Sequence, residues 1–433
     1  MSVETTSMLE QAMLEQPILA ELQAAEAELL VPTYERNAVV FERGEGVHLI
    51  DEHGERYLDL LSGIGVNALG YGHPAIERAI VEQSRRLIHT SNLYFHRGQA
   101  ELARRLVERT GLDRVFFANT GTEAWEGALK FARAHAGLLR GEGREIGTKF
   151  LAVEQSFHGR TFGSVATTHK RKYREPFEPV MPGVEFVRFN DAADLRAKFS
   201  SDVCAVLVES IQGEGGIRPL SAEFAATARA LTEATGALLV VDEIQAGMGR
   251  TGRWFGYQHL GIRPDVTTIA KPLAGGIPLG AIACTNEVAR AIHPGMHGTT
   301  FGGGPLACAV AIAVIDTIER EGLLAHAAEV GGYFQLRLRE LQTRHTAIVD
   351  VRGAGLMVAA ELNDAAVAKD VVKKMLERRI LINCTSETVL RFLPPLVVTR
   401  AHIDEAVAAL DAVLGEVLSE AEATATGGKS DGQ

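Results

Sequence analysis

The chain has few cysteines, no long apolar run and no surplus of positive charge. Its four cysteines are dispersed along 433 residues without metal-ligand spacing, which favours free thiols in a reducing compartment over disulfides or a metal centre. No stretch approaches the roughly 18 apolar residues of a membrane span. The net charge of −11 excludes the basic surface that nucleic-acid binding requires. The first residues lack the basic start and apolar core of a secretory signal, so we expect a cytoplasmic protein.

The apolar and glycine content is typical of a globular protein with ligand-binding loops. Hydrophobic residues make up 46% of the chain and charged residues 23%, and the length allows two domains with cores of their own. The 44 glycines cluster at the ends of apolar runs. The absence of a side chain at such positions lets the backbone approach a ligand closely.

Short apolar runs alternate with helical patterns from about residue 74 to 310. The predicted strands are Val115–Phe117, Phe150–Val153, Val184–Phe189, Ala205–Val208, Leu238–Val241, Thr267–Ala270 and Gly280–Cys284. Nearly continuous apolar strands separated by helices predict an α/β fold with a mainly parallel sheet covered on both faces. Ligands of such sheets bind at the carboxyl ends of the strands.

The patterns divide the chain into a large domain, a small domain and two ends. Residues 71–315 form the predicted large domain, and residues 33–70 together with 316–421 form a smaller α+β domain. Residues 1–32 are a loosely helical segment, either a mobile arm or a cover for a subunit interface. Residues 422–433 are polar and rich in glycine, so we expect them to be disordered.

Lys271 follows an apolar strand and is followed in turn by Pro272 and glycines. Desolvation disfavours the ammonium form of such an amine and makes it a nucleophile for carbonyl carbons. Asp242 ends another apolar strand, Leu238–Val241. An amine and a carboxylate at strand ends suit pyridoxal phosphate, which needs a Schiff-base lysine and an acid that keeps its ring nitrogen protonated.

A second candidate site lies where the strand Val115–Phe117 is followed by the segment Asn119–Ala124. The helix that begins there would offer free N–H groups and a positive dipole end to an anion such as phosphate. Gly121 removes side-chain bulk, and Thr122 adds a hydroxyl. The alternative is an N-capped helix without a ligand.

Phe157 and Arg160 follow the strand Phe150–Val153. An aromatic side chain at a strand end can stack on a planar heterocycle, and an arginine beside it can bind a carboxylate with two hydrogen bonds. The alternative is a core phenylalanine and an arginine in a surface ion pair.

The segment Gly247–Gly252 matches the GxGxxG spelling of dinucleotide-binding loops. We reject that interpretation because residues 242–246 separate the segment from its strand, and no ribose-binding acid follows about 20 residues later at a strand end.

Taken together, these motifs resemble those of class III aminotransferases, which are fold-type I pyridoxal-phosphate enzymes, and most closely the acetylornithine and ornithine aminotransferase branch. The likeness runs from about Thr33 to Leu418. The motifs that carry it are Gly63–Gly70, Leu87–Tyr94, Phe157–Thr161, Gln212–Gly216, Asp242–Gly247, Gly298–Gly303 and Leu390–Leu396.

The resemblance implies a pyridoxal-phosphate site in the large domain. Lys271 would form the Schiff base and move the proton on the substrate, and Asp242 would pair with the pyridinium nitrogen. Gln245 would hydrogen-bond the ring oxygen and Phe157 would stack on the ring. Gly121 and Thr122 would hold the phosphate.

The resemblance also implies a homodimer with shared active sites, because Thr300 would reach the phosphate of the second subunit. Arg160 would bind a substrate carboxylate with help from Tyr34. Glu214 would pair with Arg391 while the amine donor is bound and release it when 2-oxoglutarate arrives.

Four further positions bear on the chemistry and the substrate. Glu209, at a strand end, is expected to support the catalytic group. Ile64 stands where ornithine aminotransferases carry a tyrosine, which favours an acylated or less polar donor over free ornithine. Trp125 and Gly304 depart from the family pattern, and we expect them to reshape the pocket.

The leading hypothesis is a ping-pong transfer of the ω-amino group of N-acetylornithine or a close analogue to 2-oxoglutarate, in arginine metabolism. The runner-up is a transaminase for 4-aminobutyrate, a diamine or a larger specialised-pathway amine, with pyruvate as an alternative acceptor. The same fold also supports mutases and decarboxylases. A regulator that senses the cofactor would need a DNA-binding module, and residues 1–30 are too short and too acidic for one.

Overall fold

The strands of the molecule form one large sheet and three smaller ones. The computed structural model describes residues 17–427, with side chains from residue 18 to 421. Its strands are β1 Phe41–Glu45, β2 His48–Asp51, β3 Arg56–Asp59, β4 Arg114–Ala118, β5 Lys149–Val153, β6 Val184–Val187, β7 Val203–Glu209, β8 Ile211–Gln212, β9 Arg218–Pro219, β10 Leu238–Asp242, β11 Val266–Ile269, β12 Gly280–Cys284, β13 Ile348–Ala354, β14 Met357–Leu362, β15 Ile380–Leu381, β16 Asn383–Thr385 and β17 Val389–Phe392.

The large sheet has the strand order β4-β12-β11-β10-β7-β5-β6. Its neighbours pair in parallel except for β12, which runs antiparallel to both β11 and β4. The carboxyl ends of β4, β5, β7, β10 and β11 therefore meet at one edge. The predicted mainly parallel sheet is confirmed.

Both faces of the large sheet are buried, as its continuous apolar strands predict. Along β7, Ala205 and Leu207 enter one apolar cluster while Val206 and Val208 enter another on the opposite face. The first cluster packs under the helix that begins at Gly121.

Helices cover the sheets and connect the strands. They are Pro17–Leu29, Ser62–Gly65, Pro74–Ser84, Arg97–Thr110, Gly121–Gly141, Phe162–Ala166, Arg171–Arg174, Ala192–Lys198, Ala222–Thr235, Asn286–Ala289, Pro305–Arg320, Leu323–Arg344, Ala365–Glu377 and Arg400–Gly427, with 3₁₀ turns at Glu175–Phe177, Gly256–His259 and Lys271–Ala274. Local sequence sets many of their ends. The side chain of Ser221, for example, accepts the Phe224 N–H to start Ala222–Thr235, and Gly236 ends that helix in the left-handed conformation.

The two four-stranded sheets have the orders β1-β2-β3-β15 and β13-β14-β17-β16. β3 pairs in parallel with β15, with Leu58 opposite Ile380, so residues near the start of the chain share a sheet with residues near its end. The domain boundary that we predict between residues 315 and 316 falls inside one continuous helix, Pro305–Arg320.

The chain ends differ in part from expectation. Within the N-terminal segment, Pro17–Leu29 is helical, and residues 1–16 lie outside the described residues. The last helix continues to Gly427, beyond the expected end of order at residue 421, because its helical pattern persists through the polar residues. The remainder of the predicted disordered tail, residues 428–433, lies outside the described residues.

The cysteines are unpaired, as their spacing predicts. Cys204, Cys284 and Cys308 are buried, and Cys384 is half-buried. Among the helices of residues 17–427, none is both long enough and apolar enough to cross a membrane.

Candidate active site

A cavity of about 340 Å³ opens at the carboxyl edge of the large sheet. It is lined by Val66, Asn119, Thr120, Gly121, Thr122, Phe157, His158, Gly159, Glu209, Ile211, Glu214, Asp242, Ile244, Gln245, Ala246, Ala270, Lys271, Gly276, Ile277, Pro278 and Leu279. Residues from five separate strand ends therefore share one space. This is the position expected for the ligand of a parallel α/β sheet.

Lys271 and Asp242 lie in this cavity on neighbouring parallel strands. β10 ends at Asp242, and β11 ends two residues before Lys271, which opens a 3₁₀ turn. Burial lowers the pKa of the Lys271 amine, while the nearby Glu214 carboxylate opposes that shift. A desolvated amine in this position is a better nucleophile than a solvated surface lysine.

The Asp242 carboxylate is held by three hydrogen bonds. His158 Nδ1 lies 2.7 Å from Oδ2, the Ile244 N–H donates to Oδ1 at 3.0 Å, and the Thr268 hydroxyl donates to Oδ1 at 3.2 Å. Both Asp242 and His158 are buried. The carboxylate is therefore fixed in orientation before any ligand binds.

The helix Gly121–Gly141 directs its N-terminus at the same cavity. Thr120 caps the helix by accepting the Glu123 N–H at 3.2 Å. Within residues 17–427, the N–H groups of Gly121 and Thr122 donate to no other part of the chain. Thr122 Oγ1 also lies 2.8 Å from the hydroxyls of both Thr161 and Ser164. Two free N–H groups and the positive end of a helix dipole form a site for an anion.

Phe157 is anchored by the buried carboxyl of Glu209. That carboxyl accepts the N–H groups of Phe157 and Gly213, each at 2.9 Å. Burial, with a further contribution from Asp242, raises the pKa of Glu209 to about 8. Glu209 is therefore largely protonated near neutral pH, and it fixes the backbone that presents the Phe157 ring to the cavity.

Glu214 and Arg391 form an ion pair at the cavity wall. Burial acts to raise the pKa of Glu214, but the Arg391 guanidinium outweighs it and lowers the pKa below its usual value. Arg391 is buried on β17 and also donates to Gln245 Oε1 at 3.3 Å and to Asn383 Oδ1 at 3.1 Å. Glu214 thus lines the cavity while neutralising the charge of Arg391, which is buried behind the cavity wall.

Comparison with known proteins matches this geometry to one family. The sequence model of the family "Aminotransferase class-III" matches residues 31–414. Acetylornithine aminotransferase from Methanocaldococcus jannaschii is 46% identical over 385 residues, covering 89% of this chain and 95% of the relative.

Solved structures agree with the sequence match. The ornithine aminotransferase of Toxoplasma gondii superposes with a TM-score of 0.89 at 32% identity, covering 95% of this chain and 98% of that one. A second structure of the Toxoplasma gondii ornithine aminotransferase, with PLP at partial occupancy in its active site, has a TM-score of 0.88, again at 32% identity and with the same coverage.

The chain belongs to the class-III aminotransferase family. The predicted family, enzyme class and fold type are confirmed. The match covers both the strands of the large sheet and the small sheets that carry Arg391.

Of the predicted substrate residues of this aminotransferase, Glu214 lines the cavity, whereas Arg391, Arg160 and Tyr34 do not. Arg160 is exposed at the end of the Phe157 loop, with its guanidinium stacked 3.7 Å from the Tyr173 ring centre and 5.6 Å from that of Phe157. Tyr34 is 75% exposed, and its ring lies 5.6 Å from the Arg36 guanidinium. Arg160 is thus close to the cavity through its stacking partners, whereas no contact ties Tyr34 to it.

Ile64 and Thr300 also lie outside the cavity of the single chain. Ile64 is half-buried against the apolar cluster that includes Met357 and Leu393. Its φ of 62° is rare for a β-branched residue. Thr300 is exposed next to Phe301.

Trp125 and Gly304, which depart from the family pattern, occupy a buried position and a helix start in this aminotransferase. The Trp125 side chain is wholly buried behind Asp242, where it stacks on His158. Gly304 precedes the helix Pro305–Arg320 as its N-terminal cap residue. Neither residue is among those that line the cavity within the described chain.

Sequence reasoning overlooked four contributing side chains. His158 and Thr268 hold Asp242, Tyr173 stacks on Arg160, and Asn383 binds Arg391. His158 lies within the motif Phe157–Thr161, next to Phe157, so the sequence already placed it close to the site. The other three lie on different elements from their partners, so these contacts could be found only in three dimensions.

Proposed function

We propose that this class-III aminotransferase binds pyridoxal phosphate and transfers the ω-amino group of N-acetylornithine or a close analogue to 2-oxoglutarate by a ping-pong mechanism. The observation that carries the proposal is the Glu214–Arg391 ion pair, whose Glu214 carboxylate lines the same cavity as the desolvated Lys271 amine. The names of relatives at 44–46% identity, all acetylornithine aminotransferases, support the choice of donor.

The described residues fit the cofactor. The free N–H groups of Gly121 and Thr122 suit its phosphate. The fixed Asp242 carboxylate suits its ring nitrogen, and Phe157 offers an aromatic face. A side chain at Gly121 would fill this space, because its Cβ would lie 2.9 Å from Ile244 Cγ2. When bound, pyridoxal phosphate supplies an electron sink that stabilises negative charge on the substrate carbon.

Lys271 holds and moves the proton in this proposal. Because burial lowers the pKa of its amine, the neutral form is easier to reach than it is for a solvated lysine, and the neutral form can accept a proton from the substrate carbon. Asp242 remains a hydrogen-bond acceptor throughout, oriented by His158, Ile244 and Thr268.

The Glu214–Arg391 pair lets one cavity accept two substrates that differ in charge. While the pair is closed, the Arg391 charge is neutralised, which suits a donor whose reacting end bears no carboxylate. If Glu214 moves aside, Arg391 becomes free to bind the α-carboxylate of 2-oxoglutarate with two hydrogen bonds. Arg160 at the cavity mouth is the candidate for the other carboxylate.

The proposed unit is a homodimer with shared sites. The loop that bears Thr300 is tied to Asn92, whose amide donates to the carbonyls of Thr299 and Gly302 at 3.2 Å each. Large apolar side chains are exposed on and beside these loops, namely Leu93, Tyr94, Phe95 and Phe301. A second copy of the chain would cover this surface and place Thr300 near the neighbouring cavity.

A single-turnover titration tests the donor. The purified protein loaded with pyridoxal phosphate is mixed with N-acetylornithine, ornithine, 4-aminobutyrate, putrescine or a bulky amine, and conversion of the cofactor to its amine form is followed by absorbance. We expect N-acetylornithine to react fastest and 2-oxoglutarate to restore the starting spectrum faster than pyruvate does. Faster conversion by a diamine or 4-aminobutyrate would replace the proposed donor, and the absence of conversion by every amine would contradict amino transfer.

A further inference from the structure

Trp125 is packed against His158, which is hydrogen-bonded to Asp242 and lines the cavity with it. Its ring lies 3.9 Å from the His158 imidazole at an interplanar angle of 7°, and its side chain is wholly buried. Its indole N–H donates to Thr167 Oγ1 at 2.9 Å, and Thr167 in turn donates to the Ser164 carbonyl at 2.9 Å. The indole plane is therefore fixed at its edge as well as on its face.

His158 has one satisfied nitrogen and one without a partner. Nδ1 lies 2.7 Å from Asp242 Oδ2, and the backbone N–H of His158 donates to Thr168 Oγ1 at 2.9 Å. Nε2 is buried and, within the described residues, makes no hydrogen bond. A buried N–H without an acceptor is costly, so the favoured neutral tautomer carries its proton on Nδ1 and donates it to Asp242.

The side chain of a histidine rotates readily about its second torsion unless packing prevents it. Rotation of the His158 ring would remove the hydrogen bond to Asp242 and could bring Nε2 to water. A parallel aromatic plane at van der Waals distance blocks that rotation, and it also excludes water from that face of the ring.

We propose that Trp125 is a positioning residue for the aminotransferase reaction, which acts by stacking on His158 so that the imidazole keeps its hydrogen bond to Asp242. This inference rests on the proposed function, because Asp242 is the group assigned to the cofactor ring nitrogen. It gives Trp125 a role behind the cofactor site rather than in the substrate pocket.

Two substitutions of Trp125 distinguish a role in stacking on His158 from a role in filling space. Trp125→Phe and Trp125→Met both leave a smaller apolar side chain, but only phenylalanine keeps a flat aromatic face. Trp254→Met is the control, since Trp254 packs on the Arg109 guanidinium away from the cavity. Thr167→Val, which removes the acceptor of the indole N–H, is a milder test should the methionine variant fold poorly.

Two readouts apply to the full-length protein. The first is the downfield proton resonance of the His158 Nδ1–H in the apoprotein and the cofactor-loaded protein, assigned by its absence in His158→Asn. The second is the dissociation constant for pyridoxal phosphate, measured by absorbance. We expect wild type, Trp125→Phe and Trp254→Met to keep the resonance. Trp125→Met should lose it to exchange with water and bind the cofactor about threefold to tenfold more weakly. Thr167→Val should shift both readouts in the same direction by less.

Several results would overturn the inference. Equal cofactor affinity and an intact resonance in the phenylalanine and methionine variants would show that Trp125 only fills space, and the same conclusion follows if the wild-type apoprotein lacks the resonance. Failure of the proposed function is distinguishable, since a wild-type protein that keeps the resonance but neither binds pyridoxal phosphate nor transfers amines would contradict the cofactor assignment itself.

Discussion

At the scale of single residues, the cavity sets the protonation of its groups through burial. The Lys271 amine has a lowered pKa because it is desolvated, and the Glu209 carboxyl has a raised pKa for the same reason. The Glu214 carboxylate departs from this trend because Arg391 lies against it. One cavity therefore holds an amine that can lose its proton, a carboxyl that keeps one and a carboxylate that remains charged.

Replacement of Lys271 by alanine removes the only group to which we assign proton transfer. General acid–base catalysis by one positioned side chain is worth about 10²–10⁴-fold, so we expect Lys271→Ala to lose at least that factor in the rate of amino transfer. Steady-state rates with donor and 2-oxoglutarate measure it. Lys369→Ala, which changes an exposed lysine, is the control and should react at the wild-type rate. Normal turnover by Lys271→Ala would contradict the proposed mechanism.

Glu209 makes the stability of the protein depend on pH. Burial is the largest cause, and the negative charges of Asp242 and Glu214 add to it. Together they raise the pKa of Glu209 from 4.5 to about 8 in the folded chain. The folded state therefore binds more protons than the unfolded state between these values, so this contribution to stability is complete below pH 4.5 and is lost as the pH rises to about 8.

Urea unfolding of the apoprotein at pH 6 and pH 8.5 measures this effect. Glu209→Gln cannot ionise, so the difference between its two transition midpoints should be smaller than that of wild type. Glu223→Gln, on the exposed first turn of the helix Ala222–Thr235, should keep the wild-type difference. Identical pH dependence in wild type and Glu209→Gln would mean that Glu209 is ionised in the folded protein at neutral pH.

The positions of the reactive and charged site residues could be predicted from the sequence more readily than the residues that contact them. Lys271, Asp242, Glu214 and Gly121 all face the cavity, because a strand end or a helix start fixes where their side chains point. The departure of Trp125 from the family pattern is visible in the sequence, but the residue that its side chain contacts is not. Its neighbour in space, His158, is separated from it along the chain, and no pattern in one sequence reveals that stacking.

At the scale of elements, the helix Gly121–Gly141 offers a direct test of the anion site. The Cβ of alanine at position 121 would lie 2.9 Å from Ile244 Cγ2, and Ile244 itself lines the cavity. Overpacking of this kind costs about 1–3 kcal/mol, so we expect Gly121→Ala to weaken pyridoxal-phosphate binding roughly 5- to 150-fold.

Gly141→Ala, at the other end of the same helix, is the matched control. A Cβ there meets nothing within 4 Å, and alanine is favoured over glycine in a helix by up to about 1 kcal/mol. This variant should keep the wild-type dissociation constant for the cofactor, measured by absorbance titration, and unfold at a slightly higher temperature. Equal affinity of Gly121→Ala and wild type would place the phosphate elsewhere.

Strands of the large sheet were predictable because they are apolar on both faces, so continuous runs mark them without ambiguity. The two-residue strands β8 and β9 and the short strand β16 were missed because they are too short to show a period. The helical pattern that follows Pro305 in the sequence predicts one long element. It is interrupted at Gly322, which adopts a left-handed φ of 63° between the helices Pro305–Arg320 and Leu323–Arg344.

At the scale of the whole molecule, the exposed apolar side chains near Thr300 predict a dimer that is needed for activity. Phe95→Asp would place a carboxylate in that surface, so we expect the dimer to dissociate and amino transfer to fall with it. Light scattering and activity over a dilution series measure both. Phe177→Asp introduces the same charge at another exposed phenylalanine and should leave mass and rate unchanged. A fully active monomer would contradict the shared site.

The pairing of β3 with β15 has a consequence for how the chain is made. β3 emerges early from the ribosome, but its partner β15 emerges only after the entire large domain, and the Ser62 hydroxyl donates to the Leu393 carbonyl 331 residues away. Contacts so distant in sequence form late and slowly. We therefore expect the nascent chain to form first the edge of the large sheet that bears Lys271. Because Arg391 lies on β17, the chain should remain unable to discriminate between its substrates until translation is nearly complete.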